Sequence, residues 1–160
     1  MSQLSHIDKN GKMKMVDISA KKETLRTAVA QGEILLNAEI IDKISASSIG
    51  KGDVIAAARI AGITAAKRTW ELIPLCHQAR LTSVDIDFNI LKKENKIIVA
   101  ATAKGFDRTG FEMEALTAVS VSLLIIYDMC KALSRDMKIT DIKLIKKAGG
   151  RSDYSRQEIY

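Results

Sequence analysis

The sequence of 160 residues predicts an α+β fold, an antiparallel sheet with helices packed on one face. Three observations lead to this prediction. Residues 83–91 (SVDIDFNIL) alternate apolar and polar side chains, which is typical of a half-buried strand. Two segments, 54–70 and 111–133, are long and apolar enough to be core helices. Strand-like and helical segments also follow one another in the order strand, helix pair, strand, strand, helix, strand.

The first half of the chain contains one predicted strand and two predicted helices. Residues 23–36 (ETLRTAVAQGEILL) mix apolar and polar side chains and favour a strand, and residues 38–47 resemble a short helix. Asp53 is a suitable N-cap for the alanine-rich helix at 54–70. Gly62 inside that helix costs about 1 kcal/mol relative to alanine unless close packing offsets it. We therefore expect another backbone to approach this helix closely.

The second half contains three predicted strands around the long helix. KKENKI is a hairpin turn that joins the strand at 83–91 to a strand at 97–104. GFDRTG is expected to be a loop before the helix at 111–133, and residues 138–147 are the last strand. The resulting βαββαβ order is typical of the ferredoxin-like fold.

The length and composition indicate one globular domain. Residues 21–150 are expected to form it, after a flexible leader (1–20) and before a polar tail (151–160). We find no run approaching the roughly 18 consecutive apolar residues that span a membrane, and no signal-peptide pattern, so we expect a cytoplasmic location without membrane contact. Two cysteines are too few for a disulfide scaffold and fit a reducing compartment.

The net charge of +6 favours an anionic partner. Nucleic acid, anionic lipid and a phosphorylated small molecule all satisfy this condition. The chain has three Phe, three Tyr and one Trp, without a basic stripe between them, so it lacks a stacking platform for single-stranded nucleic acid. Nucleic acid is therefore the less favoured partner.

The segment LLIIYDMCKAL (123–133) places an acid and a base in an otherwise apolar helix. Asp128 and Lys131 are three residues apart, so they share one helical face and can pair. An unpaired charge buried in such a helix would cost several kcal/mol. Either the pair is structural and fixes the register of subunits in an oligomer, or the helix presents both charges to a ligand.

Other segments carry further candidate side chains. Cys76 and His77 are adjacent, and neighbours on an extended chain point to opposite sides, which disfavours a nucleophile pair. The alternatives are a buried cysteine beside a locally bonded histidine, or a histidine that contacts an anion. Glu112 and Glu114 fall in the first turn of the long helix, on different faces, where acids complement the helix dipole. Lys51, between two glycines before a helix, is placed to reach an anion at the helix start.

The sequence lacks the patterns of two common sites. Neither CxxC nor HxxxH spacing occurs, so we expect no metal site. GKGD at 50–53 is not a Walker A loop, so any nucleotide site is of another kind.

Two long motifs resemble those of one enzyme family. They are ARIAGITAAKRTWELIPLCH (58–77) and TGFEMEALTAVSVSLLIIYDMCKA (109–132), accompanied by VDIS near residue 16, KGDV at 51–54 and KKAGG at 146–150. The family is that of the cyclic pyranopterin monophosphate synthases, the protein C family of molybdenum cofactor biosynthesis. The resemblance covers most of the chain, and runs such as LIPLCH and YDMCKA are too long to match by chance.

The resemblance implies a ferredoxin-like phosphorus–oxygen lyase. Members of the family convert 3′,8-cyclo-7,8-dihydroguanosine 5′-triphosphate into cyclic pyranopterin monophosphate and release diphosphate. A homo-hexamer is implied, a trimer of dimers with the active site at the dimer interface. No cofactor is expected, apart from Mg²⁺ that the triphosphate can bring with it.

The resemblance also assigns roles to individual residues. Asp128 and Lys131 match the family's acid–base pair, and Lys51 matches another functional lysine. We expect desolvation to lower the pKa of these lysines so that they exchange protons near neutral pH, with Asp128 as partner. The substrate-contact positions are matched by Leu75, Cys76, His77, Met113 and Glu114, and more weakly by Glu112, Arg26, Lys67 and Lys147.

Four positions depart from the family pattern. Gln78 stands where Pro is usual, and Ile125 stands where Thr is common. Arg151 and Asp153 replace the Lys and the second Gly of a GGKSG ending. Arginine keeps the charge of lysine but not its geometry, so the last loop is where triphosphate binding would differ.

The main alternative is a basic oligomeric module that binds nucleic acid or nucleotides. Salt distinguishes the two hypotheses, because nucleic-acid binding weakens steeply between low and moderate ionic strength.

Overall fold

Five strands and four α-helices make up the described part of the chain, residues 6–8 and 10–156, in a computed structural model. A 3-10 turn at Lys92–Glu94 joins the second strand to the third. The elements are β1 (Thr24–Leu35), α1 (Ala38–Ser45), α2 (Val54–Lys67), α3 (Thr69–Leu72), β2 (Leu81–Leu91), β3 (Lys96–Asp107), α4 (Glu112–Cys130), β4 (Lys138–Ala148) and β5 (Tyr154–Ser155).

The strands form one antiparallel sheet in the order β2-β3-β1-β4-β5. The two long helices lie on the same face of it. Gly32 of β1 faces α4, and Ile86 of β2 faces α2. In the sheet register Ile86 pairs with Ala101, which pairs with Ala30, two residues from Gly32 and therefore on the same face. The α+β, ferredoxin-like prediction is confirmed.

Helix α4 is the central element of the core. Its residues Ala115, Val119, Leu123 and Ile126 are fully buried and recur every three or four positions, so they form one stripe facing the sheet. By length and hydropathy alone, α4 would suffice to cross a membrane. A buried core helix has the same composition, and the packing of α4 on β1, β3 and β4 explains its apolarity.

Helix α2 packs closely on α4, as the position of Gly62 predicts. A Cβ at Gly62 would lie 2.2 Å from Ser122 Oγ and 2.5 Å from Ile86 Cδ1. Ser122 Oγ also donates a hydrogen bond of 3.0 Å to the main-chain oxygen of Ala58. Asp53 caps the helix by accepting from the amide of Ala56 at 2.9 Å.

Several predicted boundaries differ from the structure, and one is the end of the helix expected at 111–133, which is Cys130. The helix expected at 54–70 ends at Lys67, and a break at Arg68 separates it from α3. Residues 105–107, expected in a loop, extend β3 because they pair with the first residues of β1. In the polar tail, residues 154 and 155 form β5, which pairs with Lys147 and Lys146 of β4. Residues 157–160 lie outside the described residues.

Candidate active site

A cleft of about 550 Å³ opens at the N-terminal end of α4. Five segments form its walls: the leader, the start of β1, residues 75–77, the first turn of α4 and the loop after β4. The size is typical of a small-molecule site. The lining residues are His6, Val16, Ile18, Lys21, Arg26, Thr27, Leu75, Cys76, His77, Thr109, Gly110, Glu112, Met113, Glu114, Lys147, Ala148, Gly150, Arg151 and Ser152.

The cleft brings together eight of the nine residues predicted to contact substrate. They come from four separate elements, which the antiparallel sheet and the first turn of α4 place side by side. Lys67, the ninth, is exposed in the last turn of α2 and is not among the described residues that line the cleft.

Cys76 and His77 line the same cleft, although sequence neighbours were expected to point to opposite sides. The reason is that they lie in irregular chain between α3 and β2, not in an extended strand. His77 Nε2 lies 2.8 Å from the main-chain oxygen of Val16, so its partner is the distant leader and not a local group. Burial, with the negative charges of Glu114 and Glu112, raises the pKa of the Cys76 thiol. Cys76 is therefore a neutral thiol near pH 7.

The two glutamates of the first turn of α4 have different environments. Glu112 forms an ion pair with Lys147, with 3.2 Å between Oε1 and Nζ. Glu114 is 4% exposed. Burial raises its pKa to about 7, and the negative charges of Glu112 and Asp107 add to the effect, while its own main-chain amide opposes it. Near neutral pH the protonated and the ionised forms of Glu114 are therefore both populated.

Cationic side chains surround the cleft. Arg26 is oriented by a hydrogen bond of 3.0 Å from Nε to the main-chain oxygen of Asp107. A smaller cavity of about 240 Å³ adjoins the cleft and shares Lys21, Arg26, Gly150 and Arg151 with it. Together the two cavities form a continuous basic surface suited to an anion with several charges.

Sequence reasoning did not select Lys21, and it named Arg151 only as a departure from the family pattern in the loop expected to affect triphosphate binding. Lys21 precedes β1 and Arg151 follows β4. These two strands are antiparallel neighbours, so the start of one and the end of the other lie at the same end of the sheet. The antiparallel pairing of β1 with β4 could have indicated that Lys21 and Arg151 lie close together. The identity of either residue alone does not indicate it.

The predicted catalytic residues lie together at the other end of α4. Lys131 Nζ is 2.7 Å from Asp128 Oδ1, and Lys51 Nζ donates to the main-chain oxygen of Asp128 at 3.0 Å. The hydrogen bond and charge of Lys131, with a smaller effect of Lys51, lower the pKa of Asp128. We refer to Lys51, Asp128 and Lys131 as the catalytic trio.

In a single chain the catalytic trio is exposed to water, so the desolvation expected at a subunit interface stays a prediction. The side chains of Lys131 and Asp128 are 53% and 57% exposed. Cys130, the last residue of α4, is fully buried, whereas Asp128 and Lys131 lie on the face of the helix turned away from the core, so water reaches both charges.

The cleft and the catalytic trio are far apart within one chain. Glu112 at the first turn and Asp128 at the last turn are sixteen positions apart. At a rise of 1.5 Å per residue, this places their backbones about 24 Å from each other. One chain therefore does not combine both groups of residues in one site.

The sequence matches the MoaC family over residues 15–150. The chain is similar to the cyclic pyranopterin monophosphate synthase of Roseiflexus sp. (strain RS-1), with 51% identity over 95% of this chain and 96% of the relative. The synthase of the same name from Thermoanaerobacter pseudethanolicus is 49% identical over 98% of this chain and 99% of its own. Molybdenum cofactor biosynthesis protein 1 of Drosophila melanogaster is 48% identical over 98% of this chain, which corresponds to 28% of that longer protein. The chain thus belongs to the MoaC family.

Proposed function

We propose that the chain is a cyclic pyranopterin monophosphate synthase of molybdenum cofactor biosynthesis. Its substrate is 3′,8-cyclo-7,8-dihydroguanosine 5′-triphosphate, and its products are cyclic pyranopterin monophosphate and diphosphate. The observation that carries the proposal is that eight substrate-contact positions, drawn from four parts of the sequence, meet in one basic cleft. A cytoplasmic location remains a prediction.

The cleft has groups for both parts of this substrate. Arg26 and Lys147 supply positive charge, and His77 adds a ring N–H donor for the phosphates. Glu114 is buried beside them and, with a pKa of about 7, can donate to one atom of the guanine-derived ring or accept from another. A phosphate that binds Lys147 would compete with Glu112, which forms an ion pair with that lysine.

The catalytic trio would be supplied by a second copy of the chain. The separation of about 24 Å along α4 prevents a single chain from closing the site. Large apolar side chains are exposed on the helical side of the molecule, which favours a subunit contact. They are Ile60, Trp70, Leu72, Leu124 and Leu133. A trimer of dimers would have a mass of about 106 kDa, six times 17.6 kDa.

Contact with a partner chain would change the chemistry of the catalytic trio. With water excluded, Lys131 and Lys51 would be the groups that give and take protons, while Asp128 orients them. In the last step a hydroxyl of the rearranged sugar attacks the α-phosphorus, and the bond from that phosphorus to the leaving diphosphate breaks. The cations of the cleft offset the charge on the diphosphate.

Turnover of the cyclised triphosphate tests the proposal. The wild-type chain should release diphosphate and form the pterin product together, and Lys131→Ala should abolish both while inorganic diphosphate still binds. Lys93→Ala, an exposed lysine of the β2–β3 turn, is the matched control and should keep full activity. Parallel reactions with EDTA show whether Mg²⁺ is required. Retained turnover in Lys131→Ala would refute the assigned role.

A further inference from the structure

The loop after β4 is fixed at its first residue. Thr24 Oγ1 donates a hydrogen bond of 2.6 Å to the oxygen of Gly149, and the amide of Gly149 donates to Asp153 Oδ1 at 3.0 Å. Gly149 has a φ of +84°, and a Cβ there would lie 1.9 Å from the main-chain oxygen of Leu25. Both the conformation and the close approach require glycine. The hydrogen bond from Gly149 to Asp153 therefore joins the two ends of a loop, and the first residue of that loop, Gly149, is held in place.

This loop carries Arg151 to the basic cavities. Gly150, Arg151 and Ser152 lie between the two hydrogen-bonded ends, and all three line the cleft. Beyond Asp153 the chain pairs with β4 as β5, and the amide of Arg156 donates to the oxygen of Ile145 at 2.8 Å. Asp153 is the side chain that joins this hairpin to the beginning of the loop.

Arginine at position 151 has a geometric requirement that lysine lacks. The guanidinium is planar and binds a phosphate through two parallel N–H groups, so its orientation decides the strength of the contact. A lysine ammonium is a compact charge on a flexible stem and tolerates a mobile loop. An arginine in this loop gains more from a fixed backbone than a lysine does.

We propose that Asp153 is a positioning residue for phosphate binding, acting through the Gly149 amide to hold the loop that presents Arg151. The proposal rests on the proposed function only in requiring a ligand that bears phosphates. Asp153 itself does not touch the ligand. Its effect passes through the orientation of Arg151, and this coupling can be measured.

The first test compares two substitutions at position 153. Asp153→Ala removes the acceptor, and the dissociation constant for inorganic diphosphate, measured by calorimetry, should rise about three- to tenfold. The KM for the cyclised triphosphate should rise by the same factor, with kcat within twofold of wild type. Asp153→Asn keeps an oxygen that can accept from the Gly149 amide. Its dissociation constant for diphosphate should be no more than twofold higher than that of wild type. Asp85→Ala, an exposed aspartate on β2 at the far edge of the sheet, is the matched control.

The second test measures the coupling between the two positions. Arg151→Lys should weaken diphosphate binding by itself. Adding Asp153→Ala to Arg151→Lys should then weaken it less than twofold further, because the lysine does not depend on the loop geometry. A full loss on that background would overturn the proposal. Wild-type affinity for diphosphate in Asp153→Ala would also overturn it. The same holds if Asp153→Asn loses as much affinity as Asp153→Ala, or if Arg151→Lys binds diphosphate as tightly as wild type.

The two assays separate this proposal from the proposed function. Lack of turnover in the wild-type chain would refute the synthase assignment, whereas diphosphate binding by the same variants would still decide the role of Asp153.

Discussion

Glu114 should make the stability of the fold depend on pH near neutrality, and Glu114→Gln should remove that dependence. The carboxyl group is buried at the first turn of α4, and burial is the main reason why its pKa rises from 4.5 to about 7. Glutamine has nearly the same size and does not titrate. The substitution therefore changes the charge at this position and little of the packing.

The size of the effect follows from proton linkage. A shift from 4.5 to about 7 corresponds to about 3 kcal/mol, at roughly 1.36 kcal/mol per pKa unit. Between these values the folded chain keeps a proton that the unfolded chain has lost, so unfolding releases a proton. The stability contributed by Glu114 is fully present below pH 4.5 and is lost as the pH rises through 7. About 2.5 kcal/mol of this loss should fall between pH 5 and pH 8.5.

Urea unfolding measures this difference. Wild-type chain and Glu114→Gln are compared at pH 5 and pH 8.5, at one protein concentration because assembly affects apparent stability. The stability of the wild type relative to the variant should fall by about 2.5 kcal/mol between the two pH values. Glu39→Gln, on the exposed part of α1, controls for the substitution itself. A wild-type-to-variant difference that is the same at both pH values would refute the reasoning.

Two further predictions concern packing and assembly. Gly62→Ala should lower the free energy of unfolding by about 1–3 kcal/mol, because its Cβ would lie 2.2 Å from Ser122 Oγ. Gly50→Ala is the control, since a Cβ at Gly50 would have no atom within 4 Å. Equal stability of the two variants would contradict the close packing at Gly62. Co-expressed Lys131→Ala and His77→Ala chains, each inactive alone, should recover about a quarter of wild-type activity, because half of the randomly paired dimers contain one intact site. No recovery in mixed oligomers of about 106 kDa would show that one chain completes its own site.

Sequence patterns predicted the elements of this fold because local and tertiary preferences agree. The alternation in β2 matches its burial, with Ile86 buried and Asp85 and Asp87 exposed. Small residues in α2 predicted the close contact that Gly62 makes. The errors occurred where distant partners decide the structure. Residues 105–107 become strand only because β1 is available to pair with them, and β5 forms only because β4 presents a free edge.

The composition of the cleft could be predicted from motifs, and its geometry could not. The resemblance identified Leu75, Met113 and Lys147, which the fold brings to one cleft. The burial of Glu114, and hence its pKa of about 7, depends on how α4 sits against neighbouring segments that are distant in the sequence. The paired charges of Asp128 and Lys131 were predicted from their spacing, but their exposure depends on which face of α4 the sheet and α2 cover.

The arrangement along α4 connects the proposed chemistry to assembly. At one end, Glu114 obtains its raised pKa within a single chain, since the walls of the cleft bury it. At the other end, Lys131 and Asp128 form a solvated ion pair that a single chain leaves more than half exposed. Exposed pairs of this kind interact weakly, and removing water strengthens their effect on one another. One chain forms the cleft, which eight of the nine predicted substrate contacts line. If proton transfer by the catalytic trio requires a partner chain to exclude water, as proposed, catalysis depends on the oligomer.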